Sequence, residues 1–337
     1  MKSSVARMIG FVAYRLLGML IVLLIIAAIT YIIFYLLPTN PARLSCGKPC
    51  TPENLQRVKE FMGYNSPWYT QFWDFLRGIV VGRTYGSGAD AIVCPGPCFG
   101  YSFRLNDTVT NLILSRFPVT ASIAVGAAIV WLLFGVAGGV IAALKRGTAI
   151  DRGVMGVAIA GVSAPSYLVG LLAILLFGFT LGWLPTGGYV PFAQNPLEWF
   201  THLILPWCTL AFISGAIYAR LTRGQMIEAM SEDYIRTARA KGLRESSVVF
   251  RHGLRNALIP VVTIFGLDLG ALLGGAVIAE KIFSMQGLGA LLLDAVSSLD
   301  LPVVVGFTMF SAFLIVFANF VVDLIYGVLD PRVKVRT

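Results

Sequence analysis

The chemically reactive side chains of this sequence match no familiar catalytic motif. Its two histidines, His202 and His252, do not begin the HExxH pattern that binds catalytic zinc. The stretch from Gly161 through Ser163 to Pro165 lacks the last glycine of the GxSxG turn that presents a nucleophilic serine. The sequence also contains no GxxxxGK[ST] loop for nucleotide phosphates. We therefore expect no catalytic residue, metal or cofactor on this chain, and no ATP hydrolysis by it.

Four of the five cysteines form two CxxxC pairs, Cys46 with Cys50 and Cys94 with Cys98. Paired cysteines usually oxidise outside the cytoplasm, so we expect disulfides. They could form two local rings, or link one pair to the other in either of two ways. A four-thiolate zinc site is the alternative, although CxxxC is a weak zinc signal. We expect the fifth cysteine, Cys208, to be a small apolar packing residue.

The composition requires that lipid replaces water as the solvent of much of this chain. Hydrophobic residues make up 57% of the 337 residues, and charged residues make up 13%. Soluble domains carry about 25% charged residues. These values exclude a disordered protein, a small secreted scaffold and an ordinary cytosolic enzyme. We expect an all-α, polytopic membrane protein.

Six apolar stretches are long enough to cross the hydrocarbon layer, which takes about 20 helical residues. A segment rich in glycine and proline ends the third stretch after residue 182. The first stretch exceeds the length of a signal-peptide core and lacks a small-x-small cleavage site, so we expect an uncleaved anchor. The predicted transmembrane helices are 16–37, 117–144, 153–182, 199–219, 256–279 and 301–322.

The positions of the basic residues predict the orientation of these helices. Seventeen of the 26 lysines and arginines lie at the chain ends, between helices two and three, or between helices four and five. By the positive-inside rule, these segments and both termini face the cytoplasm. The net charge of +9 then reflects orientation rather than nucleic-acid binding, because it is divided among loops.

The orientation divides the chain into predicted parts with different surroundings. The external loop should contain an amphipathic helix at 54–62 and an aromatic-rich helix at 68–76. Because Trp and Tyr favour the headgroup layer, the second helix should lie at the membrane interface, pack on the outer ends of the spans, or do both. The predicted parts are 1–37 (cytoplasmic N-terminus and first helix), 38–116 (external loop domain), 117–329 (five-helix core with a cytoplasmic loop at 220–256) and 330–337 (cytoplasmic tail).

The cytoplasmic loop between the fourth and fifth spans is predicted to hold two short helices. Ser231 is placed to cap the first helix, and Gly242 is placed to end it. Ser246 or Ser247 is placed to begin the second helix.

Small side chains near the end of the first helix leave room for another protein to pack closely. They belong to Ala238, Ala240 and Gly242, and Ile235 and Leu243 supply apolar anchors nearby. The alternative is a solvated basic connector held near anionic lipid.

The same loop carries the most specific motif of the sequence. The run Asp233-Tyr-Ile-Arg-Thr-Ala-Arg-Ala-Lys-Gly242 precedes His252-x-Leu-Arg-Asn-Ala-Leu-Ile-Pro260. Together they resemble the coupling loop of bacterial binding-protein-dependent ABC importer permeases, in particular the dipeptide/oligopeptide/nickel subfamily. Arg236-Thr-Ala238 stands where the generic signature has Glu-Ala-Ala, which resembles the version of the peptide subfamily.

The resemblance covers about residues 10–333 and includes the segments 143–147, 280–289 and 323–332. The long loop after the first helix is similar to that of the first, dipeptide permease B-like, of the two paired permease types. Two features of the loop depart from the family pattern, namely the cysteine pairs and Pro38-Thr-Asn-Pro41 in place of Pro-Gly-Asp-Pro.

The resemblance implies that this chain forms half of a translocation pathway in the bacterial inner membrane, together with a second homologous permease. Two cytoplasmic ABC ATPase subunits or domains would bind ATP and Mg and drive the cycle through the coupling loops. An extracytoplasmic substrate-binding protein would deliver the substrate. The residues expected to contact the ATPase or to shape the loop are Asp233, Tyr234, Arg236, Ala238, Arg239, Ala240, Lys241, Gly242, Leu243 and His252.

The substrate class is open at this point. The subfamily imports dipeptides, longer peptides, nickel chelates and haem-like compounds, and we favour short peptides. A stand-alone ion-coupled carrier is the alternative from a different class, and it would transport without ATP.

Charged residues within the spans are costly and are candidates for function. Asp268, near the middle of the fifth span, could line the pathway and meet the amino group of a peptide, or it could be paired across the permease interface. Asp323 is expected to form a structural pair. Glu280 and Lys281 are expected at the outer end of the fifth span, in contact with the binding protein or with lipid headgroups.

Overall fold

A computed structural model describes residues 2–36, 42–43, 50–63, 66–86 and 91–329 of the chain; within these ranges the side chains of 2–9, 11, 36, 323 and 325–329 are not described. Cys46, the segment 38–41, the tail 330–337 and the side chain of Asp323 therefore lie outside the described part. The chain forms two compact units, which are considered separately below. The first unit comprises Met1–Thr120, Leu273–Val277 and Gln286–Phe320, and the second comprises Ala121–Leu272, Ile278–Met285 and Val321–Thr337.

Five helices in the described part are long and apolar enough to cross a membrane, and a bent pair of helices makes a sixth span if it is counted as one. This confirms a multi-pass, helical membrane protein. The predicted division into four sequence segments stays a prediction. The helices and helix pairs that contain the spans are α1 (Lys2–Tyr31, extended by π-helical Ile32–Leu36), α4 (Val109–Leu144), α5 with α6 (Ala149–Ser163 and Ser166–Thr180), α7 (Pro196–Ser231), α9 (Glu245–Leu273) and α12 (Leu301–Leu329).

The third predicted span is broken rather than continuous. Helices α5 and α6 meet at an angle of 105° at Ala164 and Pro165. Proline has no N–H to donate and disfavours helical geometry in the residue before it. Ala164 accordingly has an extended backbone with a ψ of 126°, so the straight helix predicted over 153–182 is wrong.

The fifth predicted span ends earlier than expected. Helix α9 stops at Leu273, and a short helix α10 (Val277–Ile282) follows the break. Gly275 has a φ of +141°, a conformation that side chains of other residues rarely adopt. The prediction of a helix up to residue 279 missed this interruption, because apolar composition does not distinguish a helix from a glycine break.

Glu280 is fully buried within α10. The expectation that it lies at the surface, in contact with headgroups or a binding protein, is therefore wrong. Lys281 next to it is exposed.

In the first unit, the segment after α1, which is predicted to be external, folds around a small aromatic core. The amphipathic helix predicted at 54–62 is present as α2 (Pro52–Met62), and it is capped by the side chain of Thr51. Two antiparallel hairpins, which the sequence did not predict, follow the next helix: β1 (Gly82–Tyr85) pairs with β2 (Ile92–Pro95), and β3 (Tyr101–Ser102) pairs with β4 (Asp107–Thr108). The buried core consists of Ala42, Val58, Met62, Tyr85, Cys94, Cys98 and Tyr101.

The aromatic-rich helix α3 (Trp68–Val81) packs on α1, which agrees with the expectation that it packs against the spans. The hydroxyl of Tyr31 donates to the carbonyl oxygen of Trp68 at 3.1 Å, and Phe75 is buried in a cluster with Ala27. The rings of Trp68 and Trp73 remain exposed, as an interfacial helix would need. Its contact with lipid stays a prediction.

A buried carboxylate ties the second hairpin to the start of α12. Ser102 donates a short hydrogen bond to the side chain of Asp300, and Arg104 donates to the carbonyl oxygen of Ser298. Burial raises the pKa of the Asp300 carboxyl above its ordinary value, although the hydrogen bond from Ser102 opposes this effect. Helix α11 (Leu288–Ser298) completes this part of the first unit.

The second unit is built on close contacts between helices at glycines. A Cβ at Gly139 of α4 would lie 2.6 Å from the carbonyl oxygen of Ala219 in α7, and one at Gly161 of α5 would lie 2.8 Å from the Cβ of Ala216. Since real Cβ atoms do not approach so closely, only glycine allows these helices to pack at this distance.

The structure decides the cysteine pairing for the described residues. Cys94 and Cys98 form a disulfide within one CxxxC pair, and Cys50 is also disulfide-bonded. This excludes the long-range links that would have joined Cys94 or Cys98 to the first pair. Cys208 has a free thiol and is exposed, so the expectation that it packs inside the protein is wrong.

We predict that alkylation of the denatured, unreduced protein labels Cys208 but neither Cys94 nor Cys98. Both should become reactive after reduction, because a disulfide removes the thiols that the reagent needs. Mass spectrometry of the labelled peptides reads the result at each site. Label on Cys94 before reduction would show that the local ring does not form.

Candidate functional site

The predicted coupling segment is a short helix that follows the fourth span after a single extended residue. Helix α7 ends at Ser231, and α8 (Asp233–Ala240) begins after Glu232, which has a ψ of 151°. Ser231 does not cap α8 as predicted. Its hydroxyl donates to the carbonyl oxygen of Glu228 at 2.7 Å, because α7 continues through it. Sequence reasoning placed the end of α7 twelve residues too early, at Ala219.

The end of α8 confirms the predicted stop at Gly242. Gly242 has a φ of +75°, and its N–H donates to the carbonyl oxygen of Arg239 at 2.9 Å. The N–H of Leu243 donates to the carbonyl oxygen of Ala238 at 3.4 Å. This pair of bonds is the Schellman motif, which satisfies the last carbonyls of a helix and requires a left-handed residue.

The second predicted short helix is the beginning of the fifth span. Helix α9 starts at Glu245, after Arg244, so Ser246 and Ser247 lie inside it rather than at its cap. It runs through the π-helical segment Val248–Leu254 into the apolar part without a break. The predicted coupling segment is therefore held between two long helices, α7 and α9.

An ion pair closes the turn between α8 and α9. The guanidinium of Arg239 donates to both carboxylate oxygens of Glu245, at 3.1 and 2.6 Å. Both side chains are about half exposed, so the pair contributes little stability but restricts the geometry of the turn.

One face of α8 is buried within the unit and the other is exposed. Ile235 and Ala238 pack with Val248 of α9 in a small core, so Ile235 anchors the helix to its own chain and not to a partner as predicted. His252 is half-buried in the π-helical segment. The predicted coupling residues with exposed positions are Asp233, Tyr234, Arg236, Arg239, Ala240, Lys241, Gly242 and Leu243.

An ion pair that the sequence did not predict joins the half-buried Arg223 of α7 to the buried Asp151 at the start of α5. The Arg223 side chain donates to Asp151 from Nε at 2.6 Å and from an Nη at 2.8 Å. The N–H of Gly147 donates to the same carboxylate at 2.9 Å, and Asp151 is 4% exposed. One signal was visible in the sequence: Asp151 is the only acidic residue in a short basic segment. The pair fixes α7 to α5 at Arg223, ten residues before the predicted coupling helix begins at Asp233.

Asp268 lies exposed on the membrane-spanning part of α9. The Tyr218 hydroxyl donates to its Oδ2 atom at 2.8 Å, and the Tyr218 ring is fully buried in α7. No basic side chain in the described part of the chain forms an ion pair with Asp268. An intrachain ion pair is thereby excluded among these residues.

Comparison with known families identifies two matching regions. Residues 135–335 match the family described as "Binding-protein-dependent transport system inner membrane component". Residues 8–124 match the family described as "Binding-prot-dependent transport system membrane comp, N-term". The two matches together extend over nearly the whole chain.

Individual relatives match over a similar length. A protein of Brucella abortus (strain 2308) that is named as a peptide transport system permease is 41% identical over 313 residues, which is 93% of this chain and 95% of the relative. The glutathione transport system permease protein GsiC of Escherichia coli (strain K12) is 37% identical over 329 residues, which is 98% of this chain and 100% of the relative.

A solved structure shares the fold. A chain from the MetNI methionine ABC transporter in inward-facing conformations superimposes with a TM-score of 0.51 at 17% identity. The match covers 66% of this chain and 97% of that chain. This similarity supports the fold alone.

We predict that Arg223→Gln lowers the midpoint temperature of thermal unfolding of the purified complex by several degrees. The substitution leaves the buried Asp151 carboxylate without its cation. Arg223→Lys should restore only part of the lost midpoint temperature. It keeps the positive charge, but an ammonium cannot form the two parallel hydrogen bonds of a guanidinium. The matched control is Arg220→Gln, which removes an exposed arginine three residues earlier and should leave the midpoint unchanged. Equal midpoints for Arg220→Gln and Arg223→Gln would contradict a structural role for the pair.

Proposed function

We propose that this chain, which belongs to the family of binding-protein-dependent transport system inner membrane components, imports short peptides as one of the two permeases of an ATP-driven complex. The family makes it a non-catalytic membrane subunit of an ABC importer. Near full-length similarity to permeases named for peptide and glutathione transport is the observation that carries the substrate class. Glutathione is itself a tripeptide, so both names indicate substrates with peptide bonds and free termini.

The exposed face of α8 is the proposed docking surface for a cytoplasmic ATPase. It combines small residues at Ala240 and Gly242 with the cationic side chains of Arg236, Arg239 and Lys241. Small residues permit close approach. Since Arg236 and Arg239 are paired with Asp233 and Glu245, Lys241 supplies the positive charge that favours a partner group of the opposite sign. The ATP and Mg of the cycle would be bound by the ATPase chains, and a substrate-binding protein would approach the external side.

The connection of α8 to the spans suggests how ATPase movement reaches the pathway. Helix α7 extends beyond its apolar part to Ser231, and only Glu232 separates it from α8. The core of Ile235, Ala238 and Val248 holds α8 against α9. A force on α8 would therefore displace α7 and α9 together, and the Arg223–Asp151 pair would carry α5 with them.

The proposed setting is the bacterial inner membrane, with both termini in the cytoplasm. This orientation places α8 and the basic segment around Arg223 on the ATPase side, in agreement with the distribution of lysine and arginine. The external core around Cys94 and Cys98 would then lie in an oxidising compartment, as its disulfide requires.

Reconstitution tests the proposed function. This chain, its second permease, the ATPases and the binding protein are incorporated into liposomes, and uptake of labelled di- and tetrapeptides is measured with and without ATP. We expect accumulation only with ATP and with the binding protein present. Transport by this chain alone without ATP would instead identify a stand-alone carrier, and uptake of nickel chelates or haem-like compounds but not peptides would change the substrate class.

We predict that Gly242→Glu reduces ATP-driven uptake at least about tenfold, because a charge would be forced into a close contact with the ATPase. A Cβ at Gly242 meets no atom of the described residues within 4 Å, so the loss would not come from a clash with them. Uptake is measured with equal amounts of assembled complex.

Two controls separate docking from other effects of this substitution. Gly242→Ala imposes the same left-handed strain with only a methyl group and should keep most of the uptake. Gly224→Glu adds the same charge at an exposed glycine of α7, where a Cβ also meets nothing within 4 Å. Unchanged uptake for Gly242→Glu, or equal losses for Gly224→Glu, would contradict docking at Gly242.

A further inference from the structure

Asp268 is an exposed carboxylate in a part of the chain that is otherwise apolar. It lies in the helical segment Arg255–Leu273, and the surrounding window of α9 has the hydropathy of a membrane span. A charged side chain in the hydrocarbon layer is costly, and such residues face the bundle interior, a water-filled cavity or a partner. The exposed side of α9 at Asp268 is therefore unsuited to face lipid, and it should face a polar space or a cation.

The carboxylate is held in place by a phenol from the neighbouring helix. Tyr218 of α7 donates to Oδ2 at 2.8 Å, and its ring is fully buried with its centroid 6.0 Å from that of Trp131. Phe265, one turn before Asp268, lies with its ring centroid 6.2 Å from that of Trp131. Because the Tyr218 ring is fully buried against Trp131, its hydroxyl holds Oδ2 from a well-packed position.

The aromatic cluster around Tyr218 supplies no further hydrogen bond to the carboxylate. The indole N–H of Trp131 is buried and has no hydrogen-bond partner in the described part of the chain. Among the same residues, the Oδ1 atom of Asp268 accepts no hydrogen bond, and Asp268 forms no ion pair. An ionised carboxylate can accept about four hydrogen bonds, so most of its capacity stays open.

These features define the chemistry of a ligand. An exposed carboxylate with open lone pairs, within an apolar span, is best satisfied by a cation that carries several N–H donors. Peptides with a free amino terminus have such a group, since the α-ammonium is protonated near neutral pH. Alanine at position 271, one turn further along the same face of α9, is exposed and leaves space beside the carboxylate.

We propose that Asp268, positioned by Tyr218, binds the ammonium group of the peptide during its passage through the membrane. The inference rests on the proposed function and deepens it, since it identifies the part of the substrate that the permease itself recognises. Tyr218 does not touch the substrate but holds Oδ2 so that Oδ1 faces the incoming ammonium.

Uptake by the reconstituted importer tests the site. Peptide-loaded binding protein is added at a saturating concentration, so that affinity for the binding protein does not limit the rate. Asp268→Asn removes the charge with little change in shape and should lower the maximal uptake of a labelled dipeptide about tenfold or more, as expected for a lost charge-assisted hydrogen bond. Tyr218→Phe should cause a smaller loss, because the charge remains but is no longer held in place. Asp74→Asn, the same chemical change on the exposed side of α3, is the matched control and should leave uptake unchanged.

A covalent readout distinguishes substrate contact from a structural effect. A water-soluble carbodiimide activates carboxylates, which then form an amide bond with a nearby primary amine as the carbodiimide leaves as its urea. In the complex arrested with bound dipeptide, we expect an adduct on Asp268. The same dipeptide with an acetylated amino group should form no adduct. The Tyr218→Phe variant should give a lower adduct yield, even if it transports the dipeptide poorly.

The possible results distinguish a failure of the Asp268 site from a failure of the proposed function. A wild-type complex that takes up no peptide overturns the substrate class and this site with it. Active wild type with unchanged uptake in Asp268→Asn overturns the site alone. Loss of the second permease from the purified Asp268→Asn complex, without a wild-type adduct on Asp268, would show that Asp268 instead pairs with that subunit.

Discussion

The constraint on which the structure depends is that hydrocarbon offers no hydrogen bonds to a polypeptide backbone. Every N–H and C=O group within the membrane must therefore be satisfied inside a helix or by packed protein. The long apolar helices α1, α4, α7, α9 and α12 follow directly from this requirement. It also explains why the two breaks in apolar sequence occur at residues with special backbone properties, namely Pro165 and Gly275.

Within a lipid solvent, apolar side chains gain little by leaving the lipid, so helices associate through close packing and polar contacts. The second unit uses both devices on α7. Glycines at positions 126, 139 and 161 approach α7 so closely that a Cβ would clash with it. The Arg223–Asp151 pair then adds a charged contact where the helices leave the apolar part. As a result, α7 is the element to which α4 and α5 are fixed, and it is also the helix that leads into α8.

The sequence predicted those features that depend on local physics. Length and hydropathy placed the last span at 301–322, where the structure has Leu301–Val322. A glycine after an amphipathic run correctly marked the end of α8, because only a left-handed residue allows the Schellman bonds. The amphipathic spacing at 54–62 likewise predicted α2, since burial of Val58 and Met62 follows from their shared face.

The features that the sequence did not predict depend on contacts between distant segments. Ser231 was expected to cap a helix, but α7 continued through it because tertiary packing prolonged the helix beyond its apolar part. The hairpin strands β1 (Gly82–Tyr85) and β3 (Tyr101–Ser102) are too short to show an alternation of apolar and polar residues. The pairing of Asp151 with Arg223, and of Tyr218 with Asp268, joins residues that are 72 and 50 positions apart, and no local pattern marks such partners.

Two carboxylates of the second unit, Asp151 and Asp268, show how the surroundings of a side chain decide whether it serves structure or function. Asp151 is buried, and a guanidinium and a backbone N–H donate three hydrogen bonds to it, so most of its capacity is already used within the chain. Asp268 is exposed within an apolar span and receives one hydrogen bond from a neutral phenol. A neutral donor fixes a carboxylate without cancelling its charge, whereas a cation does both. The first arrangement is what a joint between helices needs, and the second is what a transient site for a passing cation needs, because a fully paired carboxylate would gain nothing from a substrate.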